Sequence, residues 1–415
     1  MSRSRDIADS TKTLGVDGGT IKLDGNYPVG TQNVALGDTA LDSVAADGNY
    51  NTAIGHASLT ANTTGDTNSA LGRESLLSNT TGSSNTAVGY TALLNNTSAS
   101  NNTAVGYQAG YANTTGTSNS ALGYQALNSN TTASNNNAFG FQALYLNTTG
   151  AVQTAMGHVA LYANTTGTEN TAFGGAALKD NTTGNYNVAV GRNALANNTT
   201  ASNNTAVGFE AGLSNTTGAS NASLGKGSLY SNTTGNFNVA FGDTALQANT
   251  TASGNTAVGF QAGYSHTTNG YLTAIGYKAG YTGNADSAFV GYEAGYNSTG
   301  GSNTAMGSYR ALYSNTSGSS NTAIGREALL SNTTASNNTA VGYRASYSST
   351  ETGGNTAVGY QSLYANTGSD NSAFGIRSLT DNTTGTKNTA LGYDALTSNT
   401  TAAANTAVGY QALTT

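Results

Sequence analysis

The stretch Asn102-Thr103-Ala104-Val105-Gly106-Tyr107-Gln108-Ala109-Gly110-Tyr111-Ala112-Asn113-Thr114-Thr115-Gly116-Thr117-Ser118 decides the fold, because the chain repeats it from end to end. Taking Gly106 as the anchor, an equivalent glycine occurs 23 times, from Gly37 to Gly409. Between Gly55 and Gly276 every spacing is 17 residues. That period is too short for most two-helix repeats and suits one β-coil per repeat. Gly, Asn and Thr recur too densely for a helix, and no 3.6-residue period survives.

Each coil has the same internal grammar. Thr103-Ala104-Val105-Gly106 is a short β-favouring segment. The residue before the anchor is always apolar, as in Val105, Leu122, Phe139, Met156 and Ile275, and Ala almost always precedes it. After the anchor comes Tyr, Phe, Arg, Asp, Lys or His, a slot that tolerates solvent. Ala or Ser and usually Leu follow, as in Ala143-Leu144. Asn-Thr-Thr-Gly or Asn-Thr-Thr-Ala-Ser then closes the coil with turn-forming residues.

Strand alternation places Ala104 and Val105 on opposite faces, and both rows are apolar. One of them fills the coil interior, and the other needs a cover, since a long apolar stripe is unstable in water. A 17-residue coil encloses little core. The chain is therefore expected to pack as several identical rods side by side, most simply three around an axis; a monomer with a thicker interior is the alternative. Asn recurs seven residues after the anchor (Asn113, Asn130, Asn147, Asn164) and four before it (Asn85, Asn102, Asn119, Asn136). In-register stacking lets such amides bond along the rod or satisfy turn backbone. His266 and Gly283 interrupt the first row.

Composition narrows the function classes. Charged residues are 8% of 415, the net charge is −6, and cysteine is absent. There are no disulfides, no thiolate metal site, and no basic run to suit nucleic acid. The opening Met1-Ser2-Arg3-Ser4-Arg5-Asp6 leads into no apolar stretch, so neither a signal peptide nor membrane insertion is expected.

The strings NTAIGHASL (51–59), NSALGRESL (68–76) and NTAVGYQAL (405–413) resemble the head repeats of trimeric autotransporter adhesins. The resemblance covers residues 33 to 415. It implies an all-β, left-handed parallel β-roll in a homotrimeric rod. The 17-residue coil is longer than the usual adhesin repeat, and no export signal or membrane anchor accompanies it. Runs of NTAVGYQAL with NTTG also resemble repeats of bacteriophage tail-fibre and related virion fibre proteins, as in phages of cyanobacteria. The opening SRSRDIADS and GGTIKLDG resemble the start of such proteins. These resemblances imply a virion fibre in which residues 1–32 attach to other virion proteins and residues 33–415 form a shaft of 23 repeats. A cell-surface adhesin shaft is the alternative.

No catalytic constellation is visible, and no cofactor or metal is expected. His56, His158 and His266 are scattered. Glu74, Glu210, Glu293 and Asp394 occupy the turn positions after the anchor and read as solvated charges. The Asn-x-Thr sequons follow from the turn sequence. One row carries a functional hint: Tyr90, Tyr107, Tyr124, Tyr277, Tyr343, Tyr360, Tyr393 and Tyr410 share the slot that elsewhere holds charge. Exposed phenols there could contact a host-surface glycan or another protein, or merely clad the turn. Rows of Thr, read as lying in turns beside variable residues, argue against an ice-binding face.

The 23 coils imply a rod on the order of 110 Å at about 4.8 Å each. From Gly276 the spacings run 15, 16 and 18 before 17 returns. The turns over Tyr281–Asn284 and Ser308–Arg310 are expected to absorb these changes, with a bulge at Ala288–Val290.

Overall fold

The computed structural model describes residues 14–16, 19–21, 30–283 and 286–414. Coil after coil contributes one short strand, and within each unit consecutive strands pair in parallel and in register. Thr86–Val88 lies on Thr103–Val105, which lies on Ser120–Leu122, with Ala87, Ala104 and Ala121 in line. The chain is an all-β parallel solenoid of about 17 residues per coil. It divides into two units, residues 1–204 and 205–415. The first carries the coil strands from Val34–Leu36 to Val188–Val190, the second those from Thr205–Val207 to Thr406–Val408. Of segment 1–32, strand β1 (Leu14–Val16) pairs antiparallel with β2 (Gly19–Ile21), and Ile21 meets Leu36 of β3 (Val34–Leu36). The rest of that segment up to Gly30 lies outside the described residues.

The interior is filled by the Ala and Leu side of the coil. Ala104, Ala121 and Ala138 in the strands are buried, as are Ala143 and Leu144 after the anchor. The row before the anchor faces outward: Leu122 is 47% and Phe173 53% exposed in the single chain. Thr103 and its equivalents face outward with it, in the strand and not in a turn.

Both Asn rows are interior. Asn113 Nδ2 donates to Asn96 Oδ1 at 2.9 Å and to the Gly116 carbonyl at 2.9 Å. Asn102 donates its backbone N–H to Asn85 Oδ1 at 3.0 Å and its Nδ2 to the same Gly116 carbonyl at 2.9 Å. Each coil thus satisfies its closing turn from inside and ties itself to the coil before it. Amides buried this deeply are costly unless every such bond is made.

The anchor glycine is dictated by coil spacing. Its φ runs from +126° to +142° in the regular coils. At Gly140 a Cβ would lie 2.5 Å from the Gly157 carbonyl oxygen of the next coil. Side chains at two and four residues after the anchor also take left-handed backbone, as Gln125 and Leu127 do at φ 53°.

The irregular stretch stays paired. Thr273–Ile275, Ala288–Val290 and Thr304–Met306 stack in register, so these three-residue segments keep their faces through the spacing changes. The bulge falls elsewhere than the sequence suggests. Phe289 is not an extra residue; it takes the inward alanine position between Ala274 and Ala305. The register shifts between Val290 and Tyr292, where the partner strand carries the additional Ser308. The expected altered turn over Tyr281–Asn284 is described only as far as Gly283.

Phe289 fits because two neighbours are small. It is fully buried, and a Cβ on Gly295 would lie 2.2 Å from its ring, one on Gly280 2.7 Å. Both glycines stand where most coils place Leu. Leu272, in the position of an interior Asn, likewise fills space beside Gly263.

Two outcomes follow for denaturant unfolding of the full chain. Gly140→Ala should cost at least about 3 kcal/mol from backbone strain and collision with the next coil. Gly175→Ala, where a Cβ meets nothing, should stay within about 0.5 kcal/mol. Phe289→Ala should cost about 3–5 kcal/mol by opening a cavity, and adding Gly295→Leu, which restores the common residues at both places, should recover most of that loss.

Candidate functional site

The predicted tyrosine row lies on the surface as expected. Tyr90, Tyr107, Tyr124, Tyr277, Tyr360, Tyr393 and Tyr410 are exposed, and Tyr343 is partly exposed. The coil rise makes these rings a ladder. Tyr90, Tyr107, Tyr124, Phe141 and His158 stack in sequence with centroids 5.0–5.6 Å apart. In the second unit Phe260, Tyr277, Tyr292 and Tyr309 do the same, as do the pairs Tyr343–Tyr360 and Tyr393–Tyr410.

A second ladder, built from tyrosines that stand five residues after the anchor (six at Tyr313), was missed in the sequence. Tyr264, Tyr281, Tyr296 and Tyr313 stack at 4.9–5.3 Å, and Tyr145–Tyr162 and Tyr347–Tyr364 form shorter runs. Its signal was present in the recurring Gly-Tyr and Leu-Tyr pairs that precede the Asn turn.

Stacking changes what these rings can do. Inside a run, as at Tyr107 and Tyr124, both faces of a ring are covered by neighbours about one coil away, so a sugar can lie flat only on a ring at the end of a run. What the ladder offers to solvent is ring edges and hydroxyl groups.

Between the two ladders runs a polar row. In the first unit Gln142 donates to Gln125 and Gln125 to Gln108, each at 2.9 Å. In the second the row alternates in sign through Lys278, Glu293, Arg310, Glu327 and Arg344. Arg310 Nε donates to Glu293 Oε2 at 2.7 Å and Arg344 Nε to Glu327 Oε2 at 2.6 Å. Arg377 pairs with Asp394 in the same way. The Arg310 guanidinium lies 4.9 Å from the Tyr309 ring centre and 4.7 Å from that of Tyr313, bridging the two ladders. The carboxylates here are a correction to the sequence reading: Glu293, Glu327 and Asp394 are buried members of ion pairs, not solvated charges. Their neighbours hold Arg310, Arg344 and Arg377 above the ordinary guanidinium range, first through these hydrogen bonds.

The threonine rows are also corrected. Thr103 and its equivalents lie in the strands, beside a row that varies from Val to Leu, Met and Phe, and that variation breaks any flat lattice. Thr114 and its equivalents serve the turn: Thr114 Oγ1 donates to the Thr131 carbonyl at 3.0 Å. The sequon asparagines Asn113, Asn130 and Asn147 are interior ladder members, so in the folded chain their amides are closed to modification.

Among the described residues, no three His, Asp or Glu side chains come together in an arrangement that could hold a metal ion. His56 and His158 sit in the surface slot, whereas His266 is buried in the Asn row and bonds through Nε2 to the Asn269 carbonyl. It breaks the ladder, leaving Asn249 Oδ1 below it without a partner. Ser349 has the same effect on Asn332 Oδ1. No described helix is long and apolar enough to cross a membrane.

Burial holds the His266 imidazole below its ordinary value of 6.5, against the opposing pull of the Asn269 and Gly283 backbone. The unfolded chain therefore takes up this proton first as pH falls. The His266 contribution to stability should be intact above about pH 6.5 and decline below it. Calorimetry between pH 7.5 and 5 should show that decline, and His266→Asn, which restores the row, should remove it. A scan against protein-family models finds no match for this chain, and neither does a search of curated protein sequences.

Proposed function

We propose that the chain is the structural shaft of a fibre, three copies wound as left-handed β-rolls about a common axis, projecting from a bacteriophage particle as a tail fibre or similar appendage. The observation that carries this reading is the outer face of the sheet. Every residue of the row before the anchor is apolar, and no residue of the strand row two before it is charged. The face nevertheless lies in water in the single chain. Soluble monomers rarely leave so extended an apolar surface open.

The resemblance to trimeric adhesin heads and to phage fibre repeats supports the same arrangement. A stack held by backbone bonds and buried amides suits a passive, stiff element. Residues 1–32 are proposed to attach to other virion proteins, and the ladder edges to contact host-surface glycan or protein. A cell-surface adhesin shaft would use the same architecture. Immunogold labelling separates the two, by decorating released particles or the envelope of the producing cell.

Sedimentation equilibrium of the full chain should give three times the chain mass of 41.5 kDa. Val105→Asp should lower association sharply, because burying an unpaired carboxylate in a dry contact costs several kcal/mol even after relaxation. A stable 41.5 kDa monomer across the concentration range would overturn the trimer.

A further inference from the structure

The corner five residues before each anchor has left-handed backbone in coil after coil, and it is filled mainly by small or polar residues, several of them the Asn, Asp or Gly suited to that conformation, such as Asn101, Asn135 or Asn203. Tyr50, Val152, Tyr186, Phe237 and Tyr271 depart from this pattern. Their φ values are 58–64°, and each is more than half exposed. Aromatic and β-branched residues are strained in that region. Here the strain is not repaid by burial within the coil: Phe237 is 69% and Tyr186 54% exposed.

Two of these corners coincide with a second departure. Exposure alternates from the corner to the anchor, so the residues five, three and one before the glycine share the outer side. The usual Thr of the middle row becomes Val188 in the coil of Tyr186, and Val239 in the coil of Phe237. Tyr186, Val188 and Val190 form one apolar band across the outer face of the first unit. Phe237, Val239 and Phe241 form another in the second.

We infer that these bands are the anchor points at which a second copy of this chain seats on the sheet face. The inference rests on the multichain fibre reading and adds which residues hold the copies together. The face selects its occupant by charge and by period. Its two strand rows carry no charge, and the few charges on this side, Glu169, Asp286, Asp370 and Lys387, are confined to the corner row. Its side chains repeat at one coil rise, ~4.8 Å. A partner of any other period drifts out of step within a few coils, whereas another copy keeps pace. Rigid aromatics at the centre of an apolar contact are the residues that carry binding energy.

The test uses the full chain with Tyr186→Asn and Phe237→Asn, each substitution installing the residue that other coils use at this corner. Sedimentation over a dilution series should show the dissociation constant rising at least tenfold in each variant, with unchanged far-ultraviolet circular dichroism. Tyr162→Asn, on the separate tyrosine ladder, should leave the constant where it was. Wild-type protein that assembles, with both corner variants assembling equally well, would overturn the inference while leaving the fibre reading in place. So would a Tyr162→Asn effect as large as that at the corners. Wild-type protein that stays monomeric at every concentration would overturn both.

Discussion

The constraint on which the rest depends is the spacing between coils. Backbone hydrogen bonds fix it at about one strand separation, as in the 2.8 Å bond from the Thr103 N–H to the Asn119 carbonyl. At that separation every residue sits directly on its equivalent, so each row must consist of residues that tolerate their own kind as neighbours. Glycine stacks on glycine because a Cβ would strike the next carbonyl. Asparagine stacks on asparagine because each amide has both a donor and an acceptor along the axis. Tyrosine stacks on tyrosine through its faces. Charge cannot stack on like charge, and the row through Lys278, Glu293, Arg310, Glu327 and Arg344 solves this by alternating sign.

Much of this was legible in the sequence, because a row is a column of the repeat. The anchor glycine, the structural Asn rows, their interruption at His266 and the surface tyrosines could all be read from the period; that the Asn rows are interior could not. Which of two apolar rows turned inward could not, since Ala104 and Val105 suit either face; coil volume decided it in favour of the smaller side chain. Compensation between rows was also hidden. Phe289 looked like an insertion, because its partners Gly280 and Gly295 lie in a different column and become its neighbours only when coils are stacked. The buried state of Glu293 and Glu327 was hidden for the same reason: their arginine partners are 17 residues away, in the adjoining coil.

The solenoid therefore has two kinds of surface. The tyrosine and Arg/Glu side is largely self-satisfied, with the rings inside each run covered on both faces and Glu293, Glu327 and Asp394 paired with arginine. The sheet side pairs an apolar row with a row of mostly Thr, is uncharged in both strand rows, and carries strained aromatics at four of its corners. That asymmetry gives the reading as an assembled fibre its physical basis. The chain spends its polar interactions on its own stacking and leaves its hydrophobic surface for another chain.

Cryo-microscopy of the purified full-length chain tests this most directly. The account predicts three copies side by side, with Val105, Leu122 and Phe139 of each chain meeting the others at the centre and the tyrosine ladders facing solvent. A single solenoid with that row in water, or an assembly joined through the tyrosine ladders, would contradict it.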